Sequence, residues 1–325
     1  MHTTPTLRRF FSGLGALVLS ASAVSVSAAF PDRPVKLVVA GPPAGGTDFV
    51  ARLVADELGR MWKQPVLVDN RAGASGMIGT KFLQGSAPDG YTLMVGHSAT
   101  HAIVPALHHP APYDPVADFT PIILLGTAPE LLVVAADSPL KSVSDLVAKA
   151  KAGPVSYGSP GVGLPQHLLG HRLAQIAGVN MLHVPYKGSS PALSDLIGGQ
   201  LTAMVVTSGA VMPFIKAGRV RALAVNSPSR MPTLPDVPTF GELGMPQLQQ
   251  VGWFGVFGPA GMSPALVESI NAAIATVVKM PEVRAKMLAQ YIDPVGGSVQ
   301  QFTGFHREEV RKWTAIVRES GVRED

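Results

Sequence analysis

From residue 30 onward, short runs of β-branched and other apolar residues alternate with longer stretches in which apolar positions recur every three or four residues, and Gly or Pro marks most boundaries. The short runs predict strands at Val35–Val39, Val66–Val68, Tyr91–Val95, Leu131–Ala135, Met181–Val184, Ala203–Val206 and Ala222–Val225. The longer stretches predict helices: Phe49, Leu53, Val54, Leu58 and Met61 share one helical face, and Leu164, Leu168, Leu173 and Ile176 share another more loosely. Strand followed by helix, repeated, predicts parallel sheets with helices on both faces, an α/β fold. After Pro259 the texture turns helical, over residues 264–279, 282–290 and 298–319, and the charge-rich face of the last predicts a solvated outer helix.

Several strands run straight into a loop of Gly, Ser or Thr that opens the next helix: Gly41 to Thr47, Gly96 to Thr100, Gly158 to Gly163, and Lys187 to Ser190. In open α/β sheets the ligand crevice lies at the carboxyl ends of the strands, so these loops are expected to line one cleft. The start of a helix exposes unpaired N–H groups at the positive end of its dipole, which suits an anion. Thr47, Ser98, Thr100, Ser159 and Ser189 add hydroxyl donors. Each hydrogen bond to a charged acceptor contributes about 1.5 to 3 kcal/mol. Three or four would supply most of the roughly 8 kcal/mol of micromolar binding before ordering costs.

The N-terminus alters the picture next. Arg8 and Arg9, an apolar stretch from Leu14 to Val26, and the small residues Ser27, Ala28 and Ala29 have the order of a secretory signal peptide over residues 1–29. That stretch is shorter than the roughly 20 residues of a membrane span. The best later span candidate, Ile122 to Ala136, is broken by Gly126, Pro129 and Glu130. Lys and Arg number 26 against 22 Asp and Glu. Losing Arg8 and Arg9 thins that excess further, which excludes a basic nucleic-acid face. The absence of cysteine excludes thiolate catalysis, thiolate metal sites and disulfides. A chain of this length predicts two lobes, because single cores stop growing near roughly 250 to 300 residues.

Catalytic and cofactor motifs each fall short. Gly96, Ser98 and Thr100 place Thr where a nucleophile elbow needs Gly, although a secreted serine hydrolase using Ser98 stays open as an alternative. Gly161, Gly163 and Gln166 lack the third glycine of a dinucleotide fingerprint. His167 and His171 have i, i+4 spacing, but Leu168 stands where a zinc protease needs Glu, and His97, His101, His108 and His109 lie without acids in metal spacing. No cofactor or metal is expected. His167 is placed at the mouth of the cleft, donating to a ligand or to its own loop, and Tyr186 and Lys187 are read either as surface residues or as ligand contacts.

The loops also carry a family resemblance. Gly45, Gly46, Thr47 and Asp48 after Pro42 and Pro43; Asn70 to Gly76 with Ile78 and Gly79; Pro88 to Thr92; Tyr157, Gly158 and Ser159 with Gly161 and His167; Pro185 to Gly188; and Ala217 to Ala224 all stand in order. Together they resemble the Bug family, the extracytoplasmic solute receptors of tripartite tricarboxylate transporters. The resemblance implies a type II periplasmic-binding-protein fold, two doubly wound lobes joined by a hinge, with residues 30–127 plus 251–325 in lobe 1 and residues 128–250 in lobe 2. It implies a small organic carboxylate gripped from one side by Ala44, Gly45, Gly46, Thr47 and Ser98 and from the other by Ser159, Gly161, His167 and Tyr186. Asp48, His97, Thr100, Gly163, Lys187 and Thr207 complete the candidate ligand-binding set. One departure is Val206, with Thr207 and Ser208 after it, where many members present an acid; this tilts the ligand away from amino acids. The implied location is the periplasm, the implied partners are the membrane subunits of the transporter, and a monomer is the default. A receptor that reports its solute to a sensor kinase is the alternative that these residues leave open.

Overall fold

The computed structural model describes residues 1–2 and 30–322. Residues 3–29, on which the signal-peptide expectation rests, lie outside the described residues. No helix among the described residues is long and apolar enough to cross a membrane.

The chain builds β1 (Val35–Val39), α1 (Gly46–Trp62), β2 (Val66–Asn70), α2 (Met77–Gln84) and β3 (Thr92–His97), then a π-helical turn at Ala99–Ile103 that leads into α3 (Val104–Leu107). β4 (Phe119–Ala128) ends one half, and β5 (Glu130–Ala135) begins the other only two residues later. There follow α4 (Val143–Ala152), β6 (Val155–Ser159), α5 (Pro165–Ala177), β7 (Met181–Pro185), α6 (Ser189–Ile197), β8 (Ala203–Thr207), α7 (Ser208–Lys216) and β9 (Val220–Val225). The chain then returns through β10 (Gly252–Pro259), α8 (Pro264–Lys279), α9 (Pro281–Ala289), β11 (Asp293–Pro294) and α10 (Val299–Ser320).

These strands form two sheets, ordered β11-β4-β10-β3-β1-β2 and β7-β6-β8-β5-β9. Strand alternation sends successive side chains to opposite faces. Leu37 and Val39 thus join a core with Val54 and Leu58 of α1 and Ile270 and Ile274 of α8. Val38 and Ala40 meet Leu83 of α2 and Phe302 and Trp313 of α10 on the other face. The second sheet repeats the pattern, with Leu132 and Val134 against α4 and α5 and Leu131 and Val133 against α6 and α7. Each sheet is therefore wound on both faces.

The parallel expectation needs correction. β1, β2 and β3 are parallel, as are β6, β7 and β8, but β10 is antiparallel to both β3 and β4, and β5 to both β8 and β9. The reason is connectivity: the chain leaves one sheet through β4 and enters the other through β5, so these strands are not products of strand–helix–strand crossovers. α10 has the solvated charged face its pattern predicts, and buries Phe302, His306, Trp313, Ile316 and Val317 on the other.

The registers fix where the strand ends lie. The carboxyl end of β3 is level with Phe254 of β10, which is level with Gly126 of β4, close to its exit. In the other sheet Thr207, the last residue of β8, sits opposite Glu130, the first of β5. Both sheets hence present the carboxyl ends of their parallel strands to the crossing at residues 128–130.

Candidate functional site

Of the ten described α-helices, three have a side-chain cap and seven do not, α2, α3 and α9 among the seven. α4, α8 and α10 are capped by the hydroxyls of Ser142, Ser263 and Ser298. None of α1, α5, α6 and α7, which begin where parallel strands end, has a side-chain bond from its N-cap residue. A capping side chain ordinarily satisfies first-turn amides, so at the crossing these amides are left to other acceptors.

At α1 the amides are open. Gly45 is the N-cap, Ala44, Gly45 and Gly46 are exposed, and Thr47 is half-buried. The turn is held from beneath by Asp48. Its Oδ2 accepts from the Ala44 N–H at 2.9 Å and from Arg52 Nε at 2.9 Å, and its Oδ1 accepts from Asn70 Nδ2 at 2.9 Å. Asn70 Nδ2 also donates to the Gly41 carbonyl, and Arg52 Nη2 donates to Asn70 Oδ1. Burial opposes ionisation of Asp48, but the bonds from Arg52, Ala44 and Asn70 outweigh it and hold the carboxyl below its usual range. Ala44 takes the left-handed conformation at φ 66°. Asp48 and the Ala44 amide are thereby occupied with each other, and the open donors are the amides of Gly46 and Thr47 and the Thr47 hydroxyl.

Beside this loop, the end of β3 divides its candidates. Ser98 is buried, and its hydroxyl enters none of the described hydrogen bonds. Thr100 is committed internally: its Oγ1 accepts from the His97 N–H at 3.1 Å and lies 3.0 Å from His101 Nδ1, and the side chain is fully buried. His97 is half-buried, and desolvation lowers its pKa to about 4. Gly96 is required by packing, since a Cβ there would stand 2.4 Å from His101 Nδ1. His101 stacks on Phe257 at 3.9 Å and makes no described bond with Ser98.

The second sheet closes its loops on themselves. Ser159 Oγ donates to the Gly161 carbonyl at 2.9 Å and lies 2.7 Å from His183 Nε2. The Gly163 N–H donates to His167 Nδ1 at 3.2 Å, which leaves the His167 proton on Nε2. Gly163 needs to be glycine, at φ 71°. Tyr186 OH donates to Asp195 Oδ2 at 2.7 Å, and Lys187 is exposed. Thr207 is half-buried at the start of α7, and its hydroxyl enters none of the described bonds. His167 stacks on His183 at 3.8 Å. Burial lowers His167 to about 3 and His183 to about 4, so both rings are neutral at neutral pH.

Of the hydroxyls counted as donors in the sequence, those of Thr100 and Ser159 are thus already bonded within the protein, as is the candidate contact Tyr186, and His167 accepts from its own loop. Sequence reasoning missed His183, whose only signal was its place in the predicted strand Met181–Val184; pairing of β6 with β7 brings Ser159 to it. A serine–imidazole pair does exist, at Ser159 and His183, but Ser159 is wholly buried. Two surface grooves, of about 440 and 600 Å³, contain no residue of these loops.

What remains without a described partner at these loops are the Gly46 and Thr47 amides and the hydroxyls of Thr47, Ser98 and Thr207, donors of the kind that suit an anion. The model of the tripartite tricarboxylate transporter family receptor matches residues 50–322 of the chain. The chain belongs to this receptor family. Its members are periplasmic solute-binding receptors and not enzymes. The receptor is 36% identical to the protein BugT of Bordetella pertussis over 322 residues, covering 98% of this chain and 99% of that one. An R. palustris protein solved with adipate superposes with TM-score 0.82 at 34% identity, over 90% of this chain and 99% of the other. MatC from Rhodopseudomonas palustris, with bound malate, gives TM-score 0.79 at 31% identity over 89% and 100%.

Proposed function

We propose that this receptor works in the periplasm, captures a small organic carboxylate between lobes of residues 30–127 plus 251–325 and 128–250, and delivers it to the membrane subunits of a tripartite carrier. The observation that carries the reading is the uncapped start of α1, whose exposed amides stand at the strand ends flanking the chain crossing. Adipate in one relative and malate in another support an acid as ligand. In this reading Gly45, Gly46, Thr47 and Ser98 hold one carboxylate. Gly161, His167 through Nε2–H, Tyr186, Lys187 and Thr207 approach from the other lobe as the hinge bends. Asp48, Ala44, Thr100, Ser159 and Gly163 keep these loops in shape, and His97 forms part of the floor.

Calorimetric titration of the mature chain with malate, adipate and a panel of other organic acids, against neutral isosteres, tests this reading. Binding of an acid and not of its amide is expected. Binding of neutral compounds alone refutes the anion site.

A further inference from the structure

Both crossings between the sheets meet at one buried carboxyl. Glu130 begins β5 directly after the first crossing and is 1% exposed. Asn226 follows β9, and Gln250 precedes β10 on the return. The Glu130 N–H donates to Asn226 Oδ1 at 2.8 Å, and the Asn226 N–H donates to the Glu130 carbonyl at 3.1 Å. Asn226 Nδ2 donates to Glu130 Oε2 at 3.1 Å and to the Gln250 carbonyl at 2.6 Å. The side chain of Asn226 therefore ties both crossings together, with Glu130 on one side of it.

Among the described bonds, one donor, Asn226 Nδ2, reaches the Glu130 carboxyl. Asn226 Nδ2 spends both hydrogens, Glu130 Oε1 has no described donor, and Gln250 Oε1 is buried without a partner. Among the described residues, no cation pairs with the Glu130 carboxyl. Of the titratable groups on the elements around the crossing, Arg221 of β9 donates to the carbonyls of Ala136, Ser138 and Leu140, and Lys216 of α7 lies over the Tyr291 ring. Arg230 and Glu242, on the segment between β9 and β10, pair with each other. His97 of β3 and Asp293 of β11 make no described bond to Glu130. A buried carboxylate without a cation is costly, whereas a protonated carboxyl carries no charge to desolvate.

We propose that Glu130 is a proton-linked hinge clasp: neutral, it holds the two crossings in the arrangement seen here, and its ionisation releases them and weakens solute capture. Burial alone raises its pKa to about 8. Above that pH the proton passes to water, the O–H bond is lost, and the carboxylate is relieved by an arrangement that hydrates it. At full coupling the population of the clasped form falls up to about tenfold per pH unit. The link to capture rests on the carboxylate-receptor reading; the clasp itself does not.

The absence of cysteine lets Asp56→Cys on α1 and Lys149→Cys on α4, both exposed positions, carry a dye pair across the two lobes. Without ligand, transfer efficiency of the labelled receptor is expected to change between pH 7 and 9 with a one-proton midpoint near 8. Glu130→Gln, which keeps an acceptor and adds a permanent donor, is expected to abolish that change. A flat profile in the parent, or an unaltered profile in E130Q, overturns the clasp. Infrared difference spectra of the unsubstituted receptor with isotope-labelled glutamate serve should E130Q fail to fold. A protonated glutamate carboxyl present at pH 7 and lost near pH 8 supports the proposal, and its absence at pH 7 overturns it. In titrations with malate and adipate, affinity is expected to fall above pH 8 in the parent and hold in E130Q. If neither acid binds at any pH while the dye-pair profile persists, the capture reading fails and the clasp stands.

Discussion

Replacing Asp48 with Ala separates two roles for this carboxylate, because they act on solute affinity with opposite sign. As a bare negative charge beside an anion site it repels the ligand, so its removal would strengthen binding. As the group that holds the α1 turn, its removal would weaken binding. The structure favours the second role: three donors, from Ala44, Arg52 and Asn70, converge on it at 2.9 Å. Hydrogen bonds to charged groups contribute about 1.5 to 3 kcal/mol each. The Arg52 bond is discounted because that side chain is 52% exposed. The Ala44 amide becomes hydrated on release, which discounts it too. A loss of about 2 to 4 kcal/mol remains, and the strain of Ala44 in the left-handed region, roughly 1 to 2 kcal/mol, then favours collapse of the turn. Urea unfolding is expected to show that loss, and titration with malate or adipate at least a tenfold weaker affinity, while Asp48→Asn falls between. Unchanged stability, or tighter binding in D48A, would refute the scaffold argument.

Gly46→Asp places a carboxylate at the start of α1, where the dipole favours it by about 0.3 to 1 kcal/mol. Thermal stability should hold or rise while affinity for organic acids falls more than tenfold; intact affinity would remove α1 from the site. Ser159→Ala strips His183 Nε2 of its partner in a half-buried setting and should cost about 1 to 3 kcal/mol by denaturant unfolding; a cost near zero would deny the pair a bracing role. On the acid side, His97, His183 and His306 are lowered to about 4 and His167 to about 3, all first by burial. Their native state binds fewer protons than the unfolded chain, so stability is present above about 6.5 and is lost as pH falls toward 4, by at most about 1.4 kcal/mol per unit for each ring. Glu130 acts the other way, its native form holding a proton the unfolded chain has released, so its contribution falls as pH rises from the ordinary 4.5 toward about 8. Melting temperature against pH in the parent and in His306→Gln and E130Q tests both signs.

Much of the architecture was legible in local pattern. β1, β5, β7 and β8 coincide within a residue or two with the runs that announced them, and α1, α8 and α10 with their periodic stretches, because a buried face imposes its own spacing. β4 and β10 were not anticipated, and β6 was implied only as the strand before the Gly158 to Gly163 loop. β10 carries Gly252, Gly255 and Gly258, poor strand formers in isolation. Yet a Cβ on Gly255 would meet Phe302 at 2.1 Å, and one on Gly258 would meet the Met262 sulfur at 2.0 Å. Those glycines are shaped by neighbours that only the packed chain supplies. Pro129 and Glu130 read as interruptions of an apolar stretch, and they are the point where the chain passes between sheets.

By itself the sequence determined most of the parallel strands and the long helices, that Gly- and hydroxyl-rich turns open several of those helices, and, through the order of its loop residues, the receptor family. Only the tertiary structure decided which polar groups are left free. Thr100, Ser159, Tyr186 and His167 look equivalent to Thr47 and Ser98 along the chain, but their partners were settled by side chains brought to them in space. Asn226 reaches Glu130 across 96 positions. Hydrogen-bond satisfaction is a property of neighbours in three dimensions, and a linear pattern carries no record of it.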